Sequence, residues 1–417
     1  MVLIDYIESR QIINSRGEPT VEATVFLNNG ENATASVPSG KSRSANEAIE
    51  LVDKEFNIFF GKSVNHAVTN INTIISPRLK KMDPLEQEKI DQILNELDNT
   101  PNKAHLGANA ILAVSMAVAK SAALIKKKQL YIHLNDLFIK LEAKNRYDEP
   151  VLLSDKLLKP QLPIPALNMI NGGVHADTKL SVQEYMIVPV GLPKMFDKIR
   201  AASEINTALR EVLKEKGKST NIGDEGGYAT SFDNPYEPLE CLVEAVKRTG
   251  YNVHNQVLYG LDVAGSQLEN PLPTDFFDNI ITNHPIISIE DPFGENDWED
   301  FAALNKAYPN IFITGDDLTS MILDRLYKAI EIGAIDCVII KPNQIGTITE
   351  TLRFAKVAKD AGQTLFAAHR SGETNDTFIV DLAVAIGAQF IKAGNIMRGE
   401  RVAKYNHLLT LAQFFEI

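Results

Sequence analysis

Cysteine is almost missing from this chain. Cys241 and Cys337 are the only two in 417 residues, without metal-ligand spacing and each among apolar neighbours. That excludes a disulfide framework and a thiolate zinc site, and it points to buried free thiols in a reducing, cytoplasmic compartment. Long apolar runs are missing too. The most membrane-like stretch, Ala110–Ala119, lies between Asn109 and Lys120 and is too short to span a bilayer, so a buried helix is expected there. The first residues, MVLIDYIESR, show no basic segment followed by an apolar one, and no signal peptide is expected. Positive charge is in deficit: 42 Lys and Arg face 54 Asp and Glu, for a net charge of −12 and a pI near 5.3. Such a surface attracts neither nucleic acid nor an anionic membrane, although cations gathered in a cleft can still bind an anionic substrate. Low-complexity segments are absent. What remains is ordinary globular composition, 44% hydrophobic and 23% charged, on a chain long enough for two domains, one of them barrel-sized.

The second half carries a regular pattern. Six short apolar runs end in VLYGLD (Asp262), IISIED (Glu290), IFITGDD (Asp316), VIIK (Lys341), TLFAAHRS (His369, Arg370, Ser371) and QFIK (Lys392). They recur roughly every 25 residues, the length of one βα unit. Repeated βα units predict a parallel sheet covered by helices. If the sheet closes into a barrel, all the strand C-termini open on one face, where barrel enzymes keep their catalytic groups. One charged residue after a strand is an ordinary loop start. Six in phase are not.

The first half reads differently. TVEATVFL, Asn28-Asn29-Gly30 and ATASV predict a hairpin within a small antiparallel sheet over residues 3–37. Ser44 and Glu47 match a capping box and predict a helix to about Phe60. Further helices are expected from Asp83-Pro84, with Ile90, Ile93, Leu94 and Leu97 inward, and from Leu106 to about Ile125. Ala35-x-x-x-x-Gly40-Lys41-Ser42 fits a relaxed phosphate-loop pattern, but the strands before it pair as a hairpin and no magnesium-binding strand follows, so that reading is rejected. Residues 127–162 are polar and lysine-rich, and predict an interdomain connection with a surface excursion. A helix is expected over about 194–216, followed by the glycine-rich acidic loop Asn221–Gly227. The expected division is 1–135 (α+β, with a functional loop at 39–44), 136–162 (connection) and 163–417 (barrel).

Asp262, Glu290 and Asp316 are hard oxygen donors without a histidine among them, a set that suits magnesium rather than zinc. A carboxylate after a strand often caps the next helix; that explains any one of the three, and all three poorly. Lys341 ends the very apolar run CVIIK, where burial and nearby cations are expected to lower its pKa toward neutrality and make it a base. Lys392 would help keep it neutral and bind a carboxylate. Arg370 and Ser371 suit phosphate. Glu225, on a loop whose glycines permit close approach, is placed to protonate a leaving hydroxyl. His175 is assigned only substrate or loop contact.

With these residues in view, the chain resembles the enolase family over nearly its whole length. The resemblance lies in INSRGEPTVEATV, VPSGKS, LGANAILAVSMAVAK, LNMINGGVHAD, QEYMIVP, GDEGGYA, LDVAGS, IEDPF, GDDLT, KPNQIGT, AHRSGET and AKYN. It implies an α/β modified (βα)8 barrel opening ββαα before its βα repeats, preceded by a small α+β domain. It implies a lyase that dehydrates 2-phosphoglycerate to phosphoenolpyruvate, reversibly, in glycolysis and gluconeogenesis. By resemblance Lys341 is the base and Glu225 the acid. Asp262, Glu290 and Asp316 hold one Mg²⁺, and Ser42 helps hold a second that arrives with substrate. His175, Gln183, Glu184, His369, Arg370, Ser371 and Lys392 contact substrate or shape the site. Homodimers are implied, octamers less often. A lysine or histidine base working beside magnesium is the general pattern of this superfamily, not a deduction from this chain.

The chain also departs from the family. SGKSRS replaces the usual SGASTG, Asn14 and Glu18 replace Asp and Asn, DVAGSQ replaces DVAASE, and Lys392-Ala393-Gly394-Asn395-Ile396-Met397-Arg398-Gly399-Glu400-Arg401 replaces KTGAPARSER. Two rival readings are a superfamily enzyme acting on another carboxylic acid, and a non-catalytic or moonlighting binding protein on the same fold. Arg370-Ser371 and GDEGG argue against the first, and the intact acid, base and metal positions against the second.

Overall fold

The computed structural model describes residues 1–41 and 44–416; Ser42, given above to the second magnesium, lies outside the described residues with Arg43 and Ile417. Strands β1 (Ile4–Ile13), β2 (Pro19–Leu27) and β3 (Asn32–Ser36) form an antiparallel sheet in sequential order. Val21, Ala23, Val25 and Leu27 alternate inward along β2. They pack on the helix Ala108–Ile125, whose alanines let the sheet approach closely. That helix has the length and apolarity to cross a membrane, but 83% of it is buried inside the protein. The helix Gln87–Asp98 turns Ile90 and Leu94 into the same core.

One expectation fails here. Residues 44–58 contain no helix. Ser44 N–H does donate to Glu47 Oε1 at 3.3 Å, as a capping box requires. However, both side chains are engaged elsewhere: Glu47 holds Arg370, and Ser44 Oγ donates to Glu295 Oε2 at 2.6 Å. The backbone then runs extended, Ala48 N–H donating to Gln344 O and Ile49 N–H to Asn102 O. Tertiary partners on the barrel displace the local helix. The polar stretch 127–162 carries ordered structure of its own. It begins with the helix Leu130–Lys140, which buries Tyr131, His133, Leu134, Asn135 and Phe138. Asn135 Nδ2 donates to Ala385 O, and Lys356 Nζ to Leu141 O at the helix C-terminus.

The remaining strands are β4 (Ile164–Asn171), β5 (Glu184–Val188), β6 (Tyr228–Ala229), β7 (Leu258–Asp262), β8 (Ile286–Glu290), β9 (Phe312–Gly315), β10 (Cys337–Ile340), β11 (Thr364–Ala368) and β12 (Phe390–Lys392). Their order is β12-β11-β10-β9-β8-β7-β5-β4-β6, with β12 also paired to β4. Eight strands therefore close a barrel, while the two-residue β6 adds to β4. β5 is antiparallel to both neighbours and the other barrel pairs are parallel. This is the ββαα opening followed by βα repeats. Strands here are apolar on both faces because both are covered. In β10, Cys337 and Ile339 point into the barrel with Ala166, Met186, Phe366 and Phe390, while Val338 and Ile340 face the helices. Both cysteines are free and buried.

Candidate active site

Register brings the charged residues together. Asp262 is the Cα partner of Glu290 on β8 and of Glu184 on β5. Lys392 ends β12, and Asp316, Lys341 and His369 each follow their strand directly. At this mouth Lys392 Nζ donates to Asp262 Oδ2 at 2.9 Å and to Glu290 Oε2 at 2.7 Å, with Glu184 Oε2 at 3.5 Å. Lys341 Nζ pairs with Asp316 Oδ2, and Gln344 Nε2 donates to Asp316 Oδ1 at 2.8 Å. Gln183 Nε2 donates to Asp262 Oδ2 at 3.2 Å. All of these groups are buried. Burial, then the Asp262 charge, lifts the Glu290 carboxyl to about 8. Lys341 departs from expectation. Burial opposes its charge, but Asp316 and Glu290 outweigh burial, Lys392 and Arg370, so its pKa is raised rather than lowered.

A second group faces this one across the mouth. Glu225 Oε2 accepts from Asn168 Nδ2 at 2.9 Å and lies 3.4 Å from His175 Nδ1, and its Oε1 lies 3.4 Å from His369 Nε2. His175 Nδ1 is also 3.7 Å from Glu184 Oε1. Two buried carboxylates this close do not both ionise. Burial and the Glu225 charge push Glu184 well up. Burial also acts to raise Glu225, but His175, His369 and Arg401 overcome it and hold it well down. The two carboxyls are therefore driven in opposite directions, Glu184 toward its neutral form and Glu225 toward its charged one. Arg401 Nη1 donates to His369 Nδ1. An arginine can only donate, so the neutral ring carries its hydrogen on Nε2, toward Glu225.

The third group holds Arg370 and Ser371. Arg370 Nη1 donates to Glu47 Oε2 at 2.9 Å and to Asn343 Oδ1 at 3.2 Å. Gly40 lies flat against this guanidinium: a Cβ there would stand 2.1 Å from Arg370 Nη2. Ser371 Oγ receives a hydrogen bond from Arg16 Nη1 at 3.2 Å and donates to Asp224 Oδ2 at 3.5 Å. Glu47, Glu50, Asn343, Gln344, Asn168 and Arg401 do not stand out as site residues in the sequence. Asn343 and Gln344 follow Lys341 across Pro342, a positional signal. Glu47 reads as a cap, and Glu50 carries no signal.

The donors fit a hard cation. Glu290 Oε1 and Gln183 Oε1 are buried acceptor atoms without a hydrogen-bond partner among the described residues, a costly state that an oxygen-seeking ion relieves. Two compact groups also have cation-binding spacing: His175, Glu184 and Glu225, and Asp291, Asp316 and Asp317. Asp262, Glu290 and Asp316 are instead interleaved with the two lysines.

Fold and site together define a protein of the barrel-enzyme class, with buried acids and bases gathered at the strand C-terminal ends. The family model "Enolase, N-terminal domain" matches residues 4–134, and "Enolase, C-terminal TIM barrel domain" matches 159–271 and 267–415. The enolase of Malacoplasma penetrans (strain HF-2) is 42% identical over 434 residues, covering 97% of this chain and 93% of that protein. The enolase of Ureaplasma parvum serovar 3 is 42% identical over 428 residues, covering 97% and 94%. This chain belongs to the enolase family. Membership implies a lyase with a metal cofactor and a small-molecule substrate.

Proposed function

We propose that this chain dehydrates 2-phosphoglycerate to phosphoenolpyruvate, and runs the reverse reaction, as the enolase step of glycolysis and gluconeogenesis. The observation that carries the reading is the placement of a lysine base and a carboxylate acid on opposite sides of one barrel mouth, beside an arginine–serine corner. Asp262, Glu290 and Asp316 would hold a Mg²⁺ ion, and Ser42 would help hold a second that enters with substrate. When bound, the ions would supply positive charge that stabilises negative charge developing on the substrate. Lys341 removes the proton on C2. To do so its pair with Asp316 must open; burial, Lys392 and Arg370 then all favour the neutral amine. Lys392 and Gln183 orient the substrate carboxylate. Arg370 and Ser371 hold the phosphate. On the other side Glu225 delivers a proton to the leaving C3 hydroxyl. Glu184, driven toward its neutral form, supplies that proton, with His175 between the two. His369 steadies Glu225.

We further read the chain as a cytoplasmic homodimer. Phe56, Phe59 and Phe60 stand 75%, 44% and 79% exposed on one short loop, an apolar ridge that a second copy would cover. The test of the activity is a coupled absorbance assay for phosphoenolpyruvate formation. Turnover is expected with Mg²⁺ and none with excess chelator; no turnover at any Mg²⁺ concentration defeats the reading.

A further inference from the structure

One ion pair at the rim of the site has no part in that chemistry. Lys41 Nζ donates to Asp224 Oδ2 at 2.8 Å, with side chains 41% and 29% exposed. Asp224 directly precedes Glu225, and the same Oδ2 stands 3.5 Å from Ser371 Oγ. Its carboxylate thus abuts the hydroxyl at the corner assigned to phosphate. Arg16 reaches Ser371 from the other side, but its guanidinium is matched by Glu18, which Lys62 also holds. Arg16, Lys62 and Glu18 together carry one positive charge, but it is directed at Glu18 and Ser371, and the carboxylate of Asp224 pairs with Lys41. Left alone, Asp224 would set a full negative charge beside the binding point of a doubly negative group. Among the described residues, Lys41 is the cation whose side chain pairs with it.

We infer that Lys41 is a specificity-determining residue that acts through Asp224: its ammonium cancels the carboxylate that would otherwise repel an anionic group at Ser371. The inference rests on the reading of Arg370 and Ser371 as the phosphate corner. It assigns Lys41 no contact with substrate. Its effect is a matter of field, so it is set by charge and weakened by salt.

The test is a four-protein cycle probed with inorganic phosphate by isothermal titration calorimetry at low ionic strength. A single charge at this range, partly screened, is worth about five-fold in affinity. Lys41→Met is expected to weaken phosphate binding about five-fold, and Lys41→Arg to stay within two-fold of wild type. Asp224→Asn is expected to tighten binding, and the double variant Lys41→Met, Asp224→Asn to return to the wild-type value. With 2-phosphoglycerate, Lys41→Met should raise KM by the same factor and leave kcat within two-fold. Added salt should shrink every difference. A double variant as weak as Lys41→Met would mean that Lys41 touches the anion directly, and overturns the inference; so does phosphate binding unchanged in Lys41→Met. If wild type binds phosphate in the expected order yet fails to turn over 2-phosphoglycerate, the substrate assignment falls and the role of Lys41 stands.

Discussion

Single atoms decide the division of labour in this site. Lys341 sits among the acid groups and Glu225 on the opposite side with the histidines. Removing either should therefore fail in a different way. Lys341→Ala is expected to abolish both C2-proton exchange with solvent and product formation, by at least a thousand-fold on the scale of lost base catalysis (roughly 10²–10⁴). Glu225→Gln should block product but leave exchange, because proton removal precedes hydroxyl loss. Exchange lost equally in both variants would merge the two roles. For the metal, Asp316→Asn is expected to raise the Mg²⁺ concentration needed for half-maximal activity roughly ten-fold or more without lowering the melting temperature. It removes negative charge that a divalent ion needs, and its single amide oxygen can accept from Lys341 or from Gln344 but not from both. Normal activity of this variant at low Mg²⁺ would remove Asp316 from the metal set. Gly40→Ala introduces a methyl 2.1 Å from Arg370 Nη2. It should displace the guanidinium from Glu47 and cost more in KM than in stability, which parallel kinetics and thermal denaturation would separate.

Helices and strands are unevenly legible in the sequence, and the reason is where each finds its partners. The six strand ends can be read because register in a parallel barrel repeats one local pattern, and each loaded residue marks its own strand end. The segment from Ser44 to Ile58 misleads because its local capping signal competes with distant groups: Glu47 is held by Arg370, 323 residues away. The helix Leu130–Lys140 is hidden by its lysine-rich flanks. The charge of Lys341 is misread because a run of letters shows burial but not the carboxylate opposite. The Leu130–Lys140 helix carries its own test. His133 is fully buried, Nε2 lacks a hydrogen-bond partner among the described residues, and Nδ1 lies 3.4 Å from Lys126 Nζ. Burial first, and then the Lys126 charge, lowers its pKa from 6.5 to about 4. A depressed histidine favours the folded state above its unfolded pKa, and that advantage is lost as pH falls from about 6.5 to about 4, where the unfolded chain takes up a proton the native one refuses. The loss is on the order of 2–3 kcal/mol. Urea titrations across that window should show a shallower acid loss in His133→Phe than in wild type; an identical slope would place the titration elsewhere.

At the scale of the whole molecule, the sheet at the start of the chain and the barrel are fastened by ion pairs, one buried (Glu47–Arg370) and one partly buried (Lys120–Asp376). Asp376 accepts from Lys120 Nζ at 2.7 Å, from Ser36 N at 2.9 Å and, through its other oxygen, from Phe378 N at 3.0 Å. It ties β3, the helix Ala108–Ile125 and the start of the helix Phe378–Ala385 together. Asp376→Ala should cost about 2–4 kcal/mol, since it strands a lysine and two backbone donors. Unfolding should remain one transition whether followed by circular dichroism or by intrinsic fluorescence, because the two parts have no seam along which to part. The same fastening has a consequence during synthesis. Glu47 leaves the ribosome 323 residues ahead of Arg370, a delay on the order of tens of seconds at elongation rates of roughly 5–20 residues per second. Throughout that time a carboxylate destined for the interior stays in water. The segment around it cannot settle until the last strands of the barrel arrive. Nascent chains stalled before Arg370 should be cut by protease between residues 45 and 55, and chains released after it should not; what the finished enzyme holds as its floor is the last part of the molecule to be laid.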